Sequence, residues 1–393
     1  MAQPKYVTDI DRIAQLSEEE RRRLKPVLEK FAFRVNEYYL KLIDWNDPDD
    51  PIRKLVIPRE EELDEYGAWD ASDEEANYVA PGCQHKYRTT ALLIVSEVCG
   101  AYCRYCFRKR LFRNDVKEAV SDVEPGLRYI ASRPEIDNVL LTGGDSLMLA
   151  TRKLRGILER LRGIPHVRIV RLGTKMPVFN PMRIYEDDEL LDAIRAFSAP
   201  DKRIYVMAHV THPREMTPEA LRAFDALHKA GAVVVNQTPV LRGVNDDPDV
   251  LGELLNRLSY AGVTPYYFFV NRPVVGNRDF VLPLKEIYRL TEEAKRRTSG
   301  LGKRVKLVMS HSSGKIEILA IENGKAYLKY HQSRDGREGL FMALDCPDDA
   351  AWFDDLPGSE RFWKKPERSR SSTGSTGDAG FGKTFVRAHF VPD

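Results

Sequence analysis

Six short apolar runs punctuate the middle of the chain. They are ALLIVS at 91–96, NVLLT at 138–142, VRIVRLG at 167–173, RIYVMAHV at 203–210, AVVVNQTPV at 232–240 and TPYYFFV at 264–270. Each is nearly continuous in apolar residues, the pattern of strands buried on both faces in a parallel sheet. Amphipathic stretches of helical length lie between them, such as TPEALRAFDALHKAG at 217–231 and DPDVLGELLNRLSYAG at 247–262. The alternation predicts an α/β fold. Six units are too few for the common eight-unit closed barrel, so a partial (β/α)6 barrel over residues 81–300 is expected.

The flanks have a different pattern. Residues 1–80 read as a charged, helical N-terminal region. Ser17 and Glu20 have the spacing of a capping box ahead of EERRRLKPVLEKFAFRVNEYYLKLI. The stretch 45–81, rich in Asp, Glu and Pro, reads as a loop or wrapping arm. Beyond 300, VKLVMSHSSGKIEILAIENGKAYLKYHQ reads as short strands with turns at Ser313-Gly314 and Asn323-Gly324. This makes 301–366 a β-rich C-terminal segment. The Ser/Gly-rich SRSSTGSTGDAGFG at 369–382 places a flexible tail at 367–393.

Composition narrows the function classes. The 61 basic and 59 acidic residues nearly cancel, which implies no bulk attraction to nucleic acid or membrane. No apolar run of about 18 residues suggests a membrane span. The polar N-terminus does not read as a signal peptide, so a cytoplasmic location is expected. Five cysteines in 393 residues, three of them between 99 and 106, do not form a disulfide framework. In a reducing compartment such a group reads as metal-binding or catalytic.

The three are Cys99, Cys103 and Cys106, in a C-x3-C-x2-C motif directly after the first strand. Three thiolates leave one iron of a [4Fe–4S] cubane without a protein ligand. S-adenosylmethionine can chelate that open iron through its amino and carboxylate groups. A structural zinc site is the alternative, with Cys83 or a histidine as fourth ligand.

Together with its surroundings, this motif resembles the lysine 2,3-aminomutase family of radical-SAM enzymes. The resemblance runs from about His85 to His331. It rests on HKY at 85–87, CGAYCRYCFRKR at 99–110, LLTGGD at 140–145, THPREMTPEALRAF at 211–224, NQTPVLRGVND at 236–246 and TPYYFF at 264–269. It implies an isomerase that holds a [4Fe–4S] cluster, S-adenosylmethionine and pyridoxal 5′-phosphate (PLP) and shifts an amino group between adjacent carbons. The expected partners are a small amino acid and an electron donor such as flavodoxin or ferredoxin. A homo-oligomer is also expected. The motifs are expected at the carboxyl ends of the barrel strands.

The resemblance also assigns residues. Gly143, Gly144, Asp145, His209 and Gln237 fall where the family surrounds S-adenosylmethionine. Asp145 on its own could instead turn the local backbone. Lys315, in SHSSGK, falls where the family has its PLP lysine, although the loop is one residue shorter and poorer in glycine. Read alone, Lys315 fits an exposed lysine in a turn better, and it is the resemblance that reverses this. Lys86, Tyr87 and Arg88 are assigned to the PLP ring or phosphate. Lys86 stands where the family usually has arginine, and Thr90 where a second arginine is common, which leaves Arg88 to compensate. Arg108 matches the arginine that grips the substrate α-carboxylate. Lysine-acting members place one aspartate at or next to Arg272 and another near Met309 or Ser310. Neither position is acidic here. If Arg272 faces the pocket rather than solvent, a distal carboxylate is favoured over an ammonium, with glutamate first.

Overall fold

The computed structural model describes residues 3–113, 118 and 122–363. The tail expected at 367–393 lies outside the described residues. Near the N-terminus, β1 (Tyr6–Val7) pairs antiparallel with β2 (Val35–Asn36). Helix α1 (Glu18–Lys30) lies between them and starts with the expected capping box. The Glu20 amide donates to Ser17 Oγ at 3.2 Å, and the Ser17 amide donates to Glu20 Oε2 at 2.8 Å.

All remaining strands form one twelve-stranded sheet in sequence order. They are β3 (Tyr78–Ala80), β4 (Cys83–Tyr87), β5 (Thr90–Ser96), β6 (Asn138–Gly143), β7 (Ile169–Thr174), β8 (Arg203–Ala208), β9 (Val233–Val240), β10 (Thr264–Val270), β11 (Lys306–His311), β12 (Gly314–Glu322), β13 (Lys325–Ser333) and β14 (Phe341–Asp345). Strands β5 to β11 are mutually parallel, and the antiparallel pairs lie at the two ends. The sheet curls but does not close. The six predicted apolar runs are β5 to β10, as expected of a partial barrel.

The crossover helices are α2 (Glu124–Ala131), α3 (Thr151–Gly163), α4 (Asp188–Phe197), α5 (Pro218–Lys229), α6 (Pro248–Tyr260) and α7 (Leu284–Arg296). In α5 the local cause is plain. Thr217 caps the first turn by accepting from the Ala220 amide at 3.1 Å, and Pro218 opens the helix. Its buried residues Ala220, Ala223, Phe224 and Leu227 recur at helical spacing and face the sheet.

Two details differ from expectation. The C-terminal segment begins with a further parallel strand, β11, so the sheet continues without a break across residue 300. The β11–β12 turn is Ser312–Ser313, one residue earlier than predicted, because Gly314 already pairs with His311. Asn323–Gly324 is the β12–β13 turn, with φ values of 50° and 73°.

The acidic stretch 45–81 is a wrapping arm, and it carries short helices at Pro51–Val56, Glu60–Leu63 and Glu75–Asn77. It drives carboxylates into the protein. Glu62 accepts from Arg104 Nε and Nη2, both at 2.8 Å, and from Lys109 Nζ at 3.1 Å. Burial pushes the Glu62 carboxyl up, but the two cations outweigh it and hold the carboxyl below its usual value of 4.5. The arm thereby fixes the cysteine loop.

Glu62→Gln should cost about 3–5 kcal/mol in denaturant unfolding, because it strands buried charge on Arg104 and Lys109. The ionised Glu62 stabilises the fold above its unfolded pKa, and that contribution fades as pH falls through the lowered folded value. The variant should therefore show a flatter acid limb. A loss under about 1 kcal/mol would mean that the arm does not anchor the loop.

Candidate functional site

A cavity of about 350 Å³ runs through the barrel. Its lining includes Cys99, Cys103 and Cys106, which follow the carboxyl end of β5. It also includes Tyr87 and Thr90, which pair at the amino end of β5. The cavity thus spans the strand, about 20 Å at ~3.3 Å per residue. The expectation that every motif sits at the carboxyl ends holds for the cysteines and not for Lys86 and Tyr87. The antiparallel β4 delivers those two to the opposite end.

At the cysteine end, the loop is held close to the β6 terminus by backbone contacts. The Gly144 amide donates to Ser96 O at 2.7 Å, and the Asp145 amide to Val98 O at 2.9 Å. A Cβ on Gly143 would sit 2.4 Å from Ser96 O, and one on Gly144 2.5 Å from Val98 O. The glycines line the cavity, and they also permit this backbone approach. Buried Asp145 accepts from the Leu147 amide at 2.9 Å and the Lys175 amide at 2.7 Å. Its carboxylate thus organises the turns after β6 and β7. Burial pushes it up to about 6, against these hydrogen bonds.

Burial pushes the Cys103 thiol up to about 12, and raises Cys99 and Cys106 as well. Buried thiolates need a strongly cationic partner such as iron. Among the described residues, no three His, Cys, Asp or Glu side chains converge on one metal ion. Zinc would need its sulfurs about 2.3 Å from a single centre, whereas a cubane takes each cysteine on a different iron. Cys83, the fourth zinc ligand considered above, is instead a core residue on β4 beside Leu93 and Gly126. The site therefore fits the cluster.

His209 follows β8 and lines the cavity, its Nε2 2.9 Å from Tyr105 Oη. Burial, with Lys175 adding to it, holds this histidine well below its usual value and so neutral. Gln237 lines the same cavity from within β9.

The middle of the cavity is basic. Arg108 is buried, and its Nη2 donates to Glu74 Oε1 at 2.7 Å, its Nε to the same carboxylate at 3.1 Å and its Nη1 to Thr142 Oγ1 at 2.9 Å. Arg110 Nη2 shares Glu74 at 2.6 Å. Arg272 lines the cavity rather than facing solvent. Its guanidinium lies 3.7 Å from the Phe107 ring centre and donates to Ser72 Oγ at 2.7 Å. Burial pushes Arg272 down to about 10. Glu74 and Asp145 are the carboxylates among the lining residues, and both are committed to the bonds just described.

At the far end, Lys315 on β12 enters the cavity, its Nζ 5.5 Å from the ring centres of Tyr87 and Tyr267. Burial, reinforced by Arg171, Lys86 and Arg272, pushes its ammonium down to about 7. Lys86 Nζ donates to His311 O at 2.6 Å, bridging the two ends of the curled sheet, and burial brings it to about 7 too. Arg88 is different. It is an exposed residue of the β4–β5 turn and does not line the cavity, so it does not compensate for Thr90. The two-residue turn takes its side chain away from the barrel.

Sequence reading missed Arg171, Glu74 and Tyr105. Arg171 did leave a signal, a charge inside the apolar run VRIVRLG. Glu74 left none, because an acidic arm reads as solvated surface.

The radical SAM superfamily pattern matches residues 93–255. A protein of Aquifex aeolicus named "Putative L-lysine 2,3-aminomutase" is 50% identical over 353 residues, 89% of this chain and 94% of that one. The L-lysine 2,3-aminomutase of Fusobacterium nucleatum is 35% identical, over 75% of this chain and 68% of that one. The glutamate 2,3-aminomutase of Clostridioides difficile is 34% identical, over 75% and 70%. With its cavity-lining cysteine triplet and open parallel barrel, this chain belongs to the lysine 2,3-aminomutase family of the radical SAM superfamily.

Proposed function

We propose that the protein is a PLP-dependent amino acid 2,3-aminomutase that favours a substrate with an acidic side chain, glutamate first. One observation carries this reading. The cavity that the cysteine triplet lines also takes in Lys315, which has no carboxylate partner among the described residues, and several other cations, and its own carboxylates are already committed. When bound, the cluster with S-adenosylmethionine supplies a hydrogen-abstracting radical, and PLP supplies a conjugated ring that stabilises a neighbouring radical centre.

In this reading Cys99, Cys103 and Cys106 hold the cluster. Gly143, Gly144, Asp145, His209 and Gln237 shape the adjoining part of the cavity for S-adenosylmethionine. Neutral His209 donates or accepts without adding charge. Lys315 offers a free amine at neutral pH for the PLP aldehyde, and Lys86 and Tyr87 flank the ring or phosphate. Arg108 keeps two of its five N–H groups for a substrate α-carboxylate, since three are engaged by Glu74 and Thr142. Arg272 faces the substrate side chain. The arm residues Ser72 and Glu74 wall the cavity and exclude water. A one-electron donor of flavodoxin or ferredoxin type is the matching partner.

A lysine substrate is the second reading, favoured by the names of the Aquifex and Fusobacterium relatives. It needs a carboxylate for the distal ammonium, and Arg272 opposes it.

Three outcomes are expected. Alanine at Cys99, Cys103 or Cys106 should abolish cluster binding, while Cys346→Ala should retain it because Cys346 is buried in the β11–β14 core. Anaerobic iron and sulfide analysis decides this, and full cluster content in any of the three motif variants would remove the assignment.

Borohydride reduction and peptide mapping should place a pyridoxyl group on Lys315. The linkage should form with rising pH and a midpoint near pH 7 rather than 10.5, since the folded ammonium is depressed to about 7. A label on Lys303, Lys306 or Lys325 would contradict the assignment.

Finally, glutamate should be turned over better than lysine, and Arg272→Asp should shift the kcat/KM ratio towards lysine by about 30-fold or more. That corresponds to ~2–5 kcal/mol for a truncated, desolvated charge pair. An unchanged ratio would mean that other residues set side-chain specificity.

A further inference from the structure

We infer that Arg171 is the phosphate-clamping residue of the PLP site, acting with Lys86 in place of the arginine that the family commonly has at the position of Thr90. The inference rests on the PLP reading above and goes beyond it by assigning a residue that neither the sequence motifs nor the relatives' names single out.

Three observations converge. First, the charge expected at this end of the cavity is missing from its expected positions. Thr90 is uncharged, and Arg88 is turned to solvent. A dianionic phosphate held by Lys86 alone would be under-neutralised, all the more because Lys86 also serves His311 O.

Second, Arg171 has the opposite problem. It sits half-buried on β7 and lines the same cavity as Lys86, Tyr87 and Lys315, and desolvation lowers its guanidinium from the usual value. Its Nε donates to Asn138 Oδ1 at 2.9 Å, a neutral acceptor, and among the described residues no carboxylate pairs with it. Of the other arginines around the site, Arg104, Arg108 and Arg110 each have a glutamate, whereas Arg272 is held by the Phe107 ring and Ser72 Oγ. A buried guanidinium without an anion is costly, and it is retained where a ligand brings the anion.

Third, Arg171 contributes the largest like-charge effect on Lys315. One residue can therefore hold the phosphate and keep the reactive amine unprotonated before binding. Arginine suits the first task because its planar fork bonds two phosphate oxygens at once.

The test separates phosphate recognition from structure. Binding of PLP and of pyridoxal, which lacks the phosphate, is titrated by absorbance of the lysine-linked chromophore in wild type, Arg171→Gln and Arg171→Lys. Unfolding midpoint and cluster content are measured alongside. Arg171→Gln should weaken PLP by about 10- to 100-fold and pyridoxal by less than about 3-fold, and Arg171→Lys should recover part of the PLP affinity. Inorganic phosphate should compete with PLP in wild type and lose that ability in Arg171→Gln.

Equal losses for PLP and pyridoxal, or no loss for either, would overturn the assignment. If Arg171→Gln fails to fold, Arg171→Lys decides alone, since a phosphate contact requires PLP to weaken more than pyridoxal. Failure of the underlying reading looks different, because wild type itself would then bind neither aldehyde at Lys315.

Discussion

Charge balance inside the barrel governs the structure. A guanidinium or ammonium removed from water needs an anion close by, or it destabilises the fold. The basic run Arg104, Arg108, Lys109 and Arg110, around the last cluster cysteine, would be untenable alone. The N-terminal arm resolves it by inserting Glu62 and Glu74, which between them pair with all four. These pairs set the cysteine loop on the barrel rim, and Arg108 still keeps N–H groups to spare. Further along the cavity, Lys86, Arg171, Arg272 and Lys315 have no carboxylate partner among the described residues, and in the proposed reading ligands bring the anions there.

This division gives the cavity two functional ends. The cysteine end is made by a loop clasped to β6 through Gly143, Gly144 and the backbone of Ser96 and Val98. The lysine end is made where β4 and β11, from opposite sides of the curled sheet, meet through Lys86 and the His311 carbonyl. Between them Arg108 and Arg272 flank the Phe107 ring, at 4.9 and 3.7 Å from its centre. A substrate lying there would have a glutamate-paired arginine at one point and one without a carboxylate partner among the described residues at another. In the proposed reading that asymmetry orients an amino acid with a second carboxylate.

Much of this was legible in the sequence, for physical reasons. Strands buried on both faces leave unbroken apolar runs, so β5 to β10 could be placed within a few residues. Soft thiolates at fixed spacing announce a cluster. The capping box at Ser17 and the Asn323–Gly324 turn are local and need no tertiary information. What was not legible depended on pairing across the chain. The parallel alignment of β11 with β10 is a tertiary choice that a short apolar run cannot reveal. Glu74 looks like any surface carboxylate until Arg108 and Arg110 are placed beside it. Arg88, assigned to the PLP site, is carried outward by a hairpin turn, while Arg171, which carried no assignment, is turned into the cavity by a barrel strand.

The central claim is that this charge-sorted cavity moves an amino group between adjacent carbons of an amino acid. It is tested most directly by anaerobic incubation of the reconstituted, reduced enzyme with a panel of amino acids, followed by product mass and β-amino acid analysis. The account predicts a β-amino acid of unchanged mass, formed first from glutamate. A reconstituted enzyme that cleaves S-adenosylmethionine yet yields no β-amino acid from any member of the panel would contradict it.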